Sequence, residues 1–246
     1  MVRHIASFSG GKDSTAMVLR LIAERWPLDE IVWFDTGWEF PQMLTHIDDL
    51  ERYIGRPITR LRPERPYTYW MLERPVVART GLNKGTVHRI GNGWPSARRR
   101  WCTCKKIDTL GRHARDAVCY IGIAADEQHR CDRKALREYG RIPRFPLVEW
   151  GMTEADCLAY CYERGFRWGG LYEHFSRVSC FCCPLQSLAD LRALRHEYPA
   201  LWAQMMAWDE QMGETNRGFH HRKTVRDLDR RFACEDRQRG LFDQEG

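Results

Sequence analysis

A doubly wound α/β fold, with a mainly parallel sheet and a helical C-terminal extension, is what this chain of 246 residues predicts. Three observations carry that reading. Apolar strand-like runs alternate with helix-period stretches as far as residue 164, which implies parallel strands joined by helical crossovers. A glycine-rich turn, Ser9-Gly10-Gly11, joins the first such run to the first helical one. Beyond residue 175 the strand signal ceases, and LADLRALRHEYPALWAQMMAWDEQM reads as helix throughout. The expected division is 1–175, a nucleotide-binding α/β domain, and 176–246, a cysteine motif followed by a helical basic region.

Taken in order, VRHIASF is apolar enough for a buried strand at 2–8, and TAMVLRLIA sets Met17, Val18, Leu21 and Ile22 on one side of a helix at 13–25. Further strands are expected at 30–34, 57–61 and 117–123, and further helices at 41–54, 104–115 and 153–164. Leu201, Trp202, Met205, Met206 and Trp208 recur at helical spacing and are expected in the core.

The stretch FSGGKDSTAM has the ingredients of a phosphate loop. A Walker loop, G-x-x-x-x-G-K-S/T, would need glycine at position 6 and a hydroxyl residue at 13, where Ala6 and Asp13 stand. That version fails, but the context still favours an anion. Ser9, Gly10 and Gly11 can turn tightly, exposing backbone N–H groups at the positive end of a helix. Lys12 adds a charge, Ser9 and Ser14 add hydroxyls, and Asp13 either caps the helix or helps to hold a metal.

Two other strand ends carry acids: Asp35-Thr36-Gly37 and Asp126-Glu127. Such residues can bind magnesium, a ribose hydroxyl or an adenine amine, although a helix N-cap explains Asp35 or Asp126 equally well. Ligands on parallel sheets sit at the carboxyl ends of strands, so all three segments are expected to face one crevice.

A formal charge of +6 is modest, but SARRRWCTCKK at 96–106 and GFHHRKTVRDLDRR at 218–231 concentrate it. Each is either a solvated face or a surface for phosphates of a nucleotide or nucleic acid. His220 and His221 are expected to belong to the second tract. No stretch reaches transmembrane length and no signal segment is evident, so a soluble cytoplasmic protein without membrane contact is expected. There, ten cysteines point to metal or redox chemistry where they cluster.

Cys180 and Cys183 form a C-x-x-C with Cys182 inside and Pro184 after it, and Cys102 and Cys104 lie 78 residues upstream (180 − 102). Two short-spaced thiolate pairs suit a tetrahedral metal or an iron–sulfur cluster, and the Cys-Pro ending favours the cluster over structural zinc. Flanking Arg98–Arg100 and Lys105–Lys106 favour thiolates. Cys182 is either spare or a replacement for Cys104. Cys119, Cys157 and Cys161 are expected to be buried small hydrophobes, with Cys131 a bystander.

SGGKDS resembles the pyrophosphate loop of the N-type ATP pyrophosphatases, or adenine nucleotide alpha hydrolases. DTGWEFP is similar to the D-T-G-x-x-F-P stretch of the phosphoadenosine phosphosulfate (PAPS) reductase family within that superfamily. IGIAADE, containing Gly122, resembles its G-I-R-x-x-E stretch with Ala124 where arginine is common, and RFPLVEWGMTEADCLAY resembles its F-P-L-x-x-W segment. The resemblance implies ATP, or an adenylyl sulfate nucleotide, bound with magnesium by Ser9–Ser14, Asp35, Thr36, Gly37, Gly122, Asp126 and Glu127. It also implies a 4Fe–4S cluster on Cys102, Cys104, Cys180 and Cys183, as in reductases and sulfur-inserting members.

Three functions follow. The first is an ATP pyrophosphatase that adenylates a nucleic acid or small molecule for sulfur transfer, with Lys12, Asp13 and Cys182 as the catalytic residues. Its expected partners are the nucleotide, a nucleic acid met through the basic segments, a sulfur-donor protein, and a second copy of the chain. The second is a sulfonucleotide reductase making sulfite. That chemistry uses a C-terminal Glu-Cys-Gly in the family; here Cys234 lies in FACEDRQRG, where Glu235 and Asp236 are expected to disfavour its thiolate. The third is a non-enzymatic nucleotide-binding module.

Overall fold

The computed structural model describes residues 2–213 and 216–242, with side chains to residue 238. The chain forms two compact units. Unit 1 comprises Met1–Pro63, Thr103–Glu173 and Val178–Cys180; unit 2 comprises Glu64–Cys102, His174–Arg177 and Phe181–Gly246. This grouping differs from a single break after 175, because Glu64–Cys102 leaves the α/β unit and joins the C-terminal helices. Residues 243–246 of the proposed C-terminal region lie outside the described residues.

Unit 1 is built on β1 (His4–Phe8), β2 (Glu30–Phe34) and β3 (Ile58–Leu61), followed later in the chain by two further parallel strands. Helix α1 (Lys12–Ala23) joins β1 to β2, and α2 (Pro41–Ile54) joins β2 to β3. After an excursion into unit 2, with the antiparallel strands β4 (Pro75–Val77) and β5 (Val87–Ile90), α3 (Trp101–His113) leads into β6 (Val118–Ile121). Strand β7 (Ile142–Arg144) follows, then the short α4 (Pro146–Glu149), α5 (Glu154–Glu163) and the short α6 (Leu171–His174).

The five-stranded sheet has the order β3-β2-β1-β6-β7, every pair parallel. Ile5 stands opposite both Glu30 and Cys119, which puts β1 at the centre. Its strands read as nearly unbroken apolar runs because they are covered on both faces: Ile5, Phe8, Ile31, Trp33, Phe34 and Tyr120 are buried. Leu110 of α3 packs with Ile5, Val32 and Cys119 on one face. Helix α1 buries Met17, Val18 and Leu21 and packs against α5. Chain order reverses between β1 and β6, and the crevice beyond their carboxyl ends is where such sheets bind ligands.

The predicted helices at 13–25, 41–54, 104–115 and 153–164 are α1, α2, α3 and α5, each displaced by no more than three residues. Strands β4, β5 and β7 were not expected; each has only three or four residues, too few for a period-2 pattern to register. In unit 2, α7 (Leu188–Glu197), α8 (Pro199–Met212) and α9 (Val225–Phe242) provide the helical region. Trp202, Met205 and Met212 are buried there, and Trp94 from the excursion is anchored by its indole N–H to Asp209 at 2.9 Å. No helix among the described residues is long and apolar enough to cross a membrane.

Candidate nucleotide-binding site

All the groups of the Ser9–Ser14 loop belong to unit 1. Gly10 adopts φ +85°, a conformation natural to glycine, and a side chain there would run into the Met43 sulfur. Its carbonyl accepts the indole N–H of Trp168 at 2.7 Å. Gly11 opens α1 without any side-chain cap, so the first-turn N–H groups are left to other partners. One of them, on Lys12, donates to the Tyr172 hydroxyl at 2.8 Å. The serines brace the loop: the Ser14 hydroxyl donates to the Gly11 carbonyl at 3.0 Å and accepts the Ser9 N–H at 3.1 Å. A Cβ on Gly122 would lie 3.0 Å from the Ser14 Cα, so the end of β6 and the first turn of α1 meet backbone to backbone.

Charge is concentrated at the start of α1. Lys12 is 9% exposed, and its ammonium is ion-paired to Glu154 and stands 3.3 Å from Asp13 Oδ1. Burial disfavours that ammonium, but Glu154 and Asp13 outweigh it and hold the Lys12 pKa above its ordinary value. Burial pushes the Asp13 carboxyl up, against the opposing pull of Lys12, with Glu154 and Glu127 adding to the rise. Asp13 Oδ1 is buried and accepts no hydrogen bond among the described residues. A buried carboxylate oxygen beside a phosphate loop, facing only the Lys12 ammonium, fits magnesium, which takes one or two carboxylates and completes its shell with water and phosphate. Asp126 accepts the Glu154 N–H at 3.2 Å, which ties the end of β6 to the start of α5. Glu127 pairs with Arg130.

Behind the loop, Thr15 and His46 Nε2 are 3.0 Å apart, and the His46 ring lies 4.4 Å from that of Trp168. Burial lowers the His46 pKa to about 3, so it is neutral in the folded protein. The unfolded chain takes up this proton below about pH 6.5 and the folded one does not, so stability falls as pH drops from 6.5 towards 3. We expect His46 to contribute up to about 1.4 kcal/mol per pH unit in that window. His46→Gln should flatten the slope, read as urea midpoints across pH; an unchanged slope would show that the imidazole titrates freely.

At the β2 end, Asp35 does not cap α2. Its Oδ1 accepts the Gly37 N–H at 2.9 Å and its Oδ2 accepts Arg62 Nε–H at 2.8 Å, which fixes the turn. The Thr36 hydroxyl donates to Glu39 at 2.7 Å and lies 3.5 Å from the Cys180 sulfur. Glu39 is held by the Thr36 and Trp38 N–H groups, and its burial pushes the carboxyl up.

The cysteines divide between the units: Cys104 and Cys180 in unit 1, Cys102, Cys182 and Cys183 in unit 2. Cys102 and Cys104 are two residues apart on α3 and so project roughly 160° apart around its axis. Cys104 is exposed and lines a cavity of about 450 Å³ with Asp108, Glu138 and Tyr139. Cys182 is 1% exposed, whereas Cys180 and Cys183 are half-buried. Among the described residues, no three histidine, cysteine, aspartate or glutamate side chains are grouped to hold a metal ion. Cys119, Cys157 and Cys161 are buried, with the Cys161 thiol 3.5 Å from the Lys12 carbonyl and pushed up by burial to about 12. Beside Cys234, Glu235 is engaged by Arg192 and Arg231, and Asp236 by Arg195.

Glu154, Tyr172, Trp168, His46 and Glu39 were not singled out from the sequence. Only Glu154 carried a signal, as an acid opening the helix after FPLVEWGMT.

A parallel sheet that carries SGGKDS at its switch point defines a PP-loop protein. The chain belongs to the phosphoadenosine phosphosulfate reductase domain family, whose model matches residues 3–186. It is 27% identical over 224 residues to an uncharacterized protein of Methanocaldococcus jannaschii, covering 85% of this chain and 41% of that one. It is 25% identical over 153 residues to the phosphoadenosine 5′-phosphosulfate reductase of Thiocapsa roseopersicina, covering 60% and 58%. The chain thus spans about half the length of these curated relatives. Among solved structures it is similar to the U34-tRNA thiolase NcsA of Methanococcus maripaludis with its 4Fe–4S cluster. That likeness has 16% identity and a TM-score of 0.44, over 87% of this chain and 73% of the other.

Proposed function

We propose that this protein binds ATP and magnesium at the Ser9–Ser14 loop and adenylates an oxygen of a nucleic-acid acceptor, preparing it for replacement by sulfur. The observation that carries the reading is the intact SGGKDS loop with a buried lysine paired to a buried acid, Asp13, at its edge. The acceptor oxygen attacks the α-phosphorus, the α–β bridge breaks, and pyrophosphate leaves. Lys12 and the first-turn N–H groups neutralise charge on the departing phosphates. Asp13 would hold magnesium, and Asp35, Thr36 and Gly37 would receive the nucleoside. The outer sulfur of a donor protein's persulfide then displaces AMP, and a second thiol of the donor attacks the inner sulfur, forming a disulfide and freeing the thiolated acceptor. Cys182 as sulfur carrier requires the turn at 181–183 to open, given its burial. An iron–sulfur cluster on the cysteine motifs, with structural zinc as the other occupant, belongs to the same proposal and would supply a thiophilic site for the incoming sulfur. So do a cytoplasmic setting, which keeps these thiols reduced, and a homodimer.

The reductase reading is the second, favoured by the Thiocapsa relative. One assay separates them. AMP and pyrophosphate formed in equal amounts from ATP, acceptor RNA or DNA and a persulfide donor support adenylation. ADP and phosphate would overturn it. Sulfite from an adenylyl sulfate and a thiol reductant would select the reductase.

A further inference from the structure

From Arg74 to Cys102, the excursion in unit 2 contains seven lysines and arginines and no aspartate or glutamate. They are Arg74, Arg79, Lys84, Arg89 and the Arg98–Arg100 run, and none pairs with a carboxylate among the described residues. The anchoring acid of this segment, Asp209, is already taken by Trp94, Asn216 and the Arg226 N–H. The other basic tract, 218–231, differs. Arg226 pairs with Glu210 and Arg231 with Glu235, while the Asp227 carboxylate accepts the Thr224 N–H at the start of α9 and Asp229 holds Arg195.

Within the excursion, β4 and β5 form an antiparallel hairpin that places Arg89 opposite Val76. The Nε of Arg89 is buried and has no acceptor among the described residues. Burial lowers the Arg89 pKa, and the nearby charges of Arg99 and Arg217 lower it further. A guanidinium with its Nε buried, without an acceptor and among like charges is costly, and a phosphate, which accepts two parallel N–H bonds, reduces the cost. Around it the hairpin exposes Val77, Val87 and Ile90, and Arg74 lies 4.8 Å over the Trp70 ring. Cations interspersed with exposed aliphatic side chains and the Trp70 ring suit a polymer of phosphates and bases better than a single small anion.

Resting on the nucleic-acid reading above, we infer that the β4–β5 hairpin and the Arg98–Arg100 run dock a nucleic-acid strand, one phosphate seated among Arg89, Arg99 and Arg217. The second basic tract is not part of this surface.

The test uses the full chain and a fluorescent single strand of about 16 nucleotides, followed by anisotropy across a salt series. Arg89→Gln should weaken binding about tenfold and reduce the slope of log K against log salt by about 0.7 for each phosphate that is no longer neutralised. Arg99→Glu, at an exposed position, should do the same without disturbing buried groups. Lys223→Ala should leave binding within about twofold, as expected of a surface charge outside the interface. Equal weakening by Lys223→Ala, or none by Arg89→Gln and Arg99→Glu, would overturn the proposal. So would equally tight, Arg89-dependent binding to phosphatidylserine vesicles. Wild-type protein that releases pyrophosphate but binds no strand sinks the platform and spares the adenylation reading. Strand binding abolished in the two arginine variants, without pyrophosphate release by the wild type, does the reverse.

Discussion

Lys12→Met is expected to lower ATP-dependent pyrophosphate release by roughly 10²- to 10³-fold, the usual loss when a preorganised charge on a transferring phosphate is removed. The geometry makes the expectation specific. The Lys12 ammonium is buried and stays charged because Glu154 and Asp13 raise its pKa above an already high value, so no change in its rate contribution is expected near neutral pH. Met retains the length and most of the volume, which limits repacking. It leaves Asp13 and Glu154 without their cation, so the Asp13 carboxyl rises further and magnesium binding weakens at lower pH. Lys12→Arg should recover only part of the rate, since a planar fork does not reproduce a point charge. Glu154→Gln is expected to act in the opposite sense on product affinity, tightening metal-free pyrophosphate by removing a competitor for Lys12. Lys12→Met protein with unchanged circular dichroism and full activity would place the phosphates elsewhere.

The α/β unit was largely legible because its determinants are local. VRHIASF, the double glycine and TAMVLRLIA lie within 25 residues, and each carries its own periodicity or turn chemistry. What could not be read was the support from distant parts of the chain. Glu154 is 142 residues from its Lys12 partner, Tyr172 is 160 away, and Trp168 is 158 from Gly10. No spacing rule spans such separations; the packing of α5 on α1 brings Glu154 to Lys12, and the chain beyond α5 returns Trp168 and Tyr172 to the loop. The Asp35 and Asp126 carboxylates show a different limit, since residue type alone does not reveal that the first fixes its own turn and the second the start of α5. The hairpin escaped notice for a third reason: its strands are short and its arginines interrupt the apolar pattern. Yet its lack of acids was visible throughout.

Trp168 supplies the second large effect, because one side chain supports both the fold and the loop. It is 2% exposed, packs on His46 and Tyr172, and gives its only polar hydrogen to the Gly10 carbonyl. Trp168→Ala should cost about 3–5 kcal/mol through the cavity it leaves, enough to threaten folding of a domain of ordinary stability. Trp168→Phe is the informative partner. It keeps most of the ring contact but leaves the Gly10 carbonyl buried without a donor, at a cost of about 1–3 kcal/mol. Gly10 already holds φ +85° with Met43 against it, so its peptide has little room to turn elsewhere. The strain is therefore expected to appear as a displaced loop, with ATP affinity reduced roughly tenfold if about 1.4 kcal/mol of the cost falls on binding. Tyr172→Phe should act in the same direction by freeing the Lys12 N–H. Calorimetric ATP titrations beside urea melts would read both quantities on one sample. A Trp168→Phe variant destabilised as stated but binding ATP with wild-type affinity would show that the indole supports the fold alone, and that Gly11 and Tyr172 suffice to shape the loop.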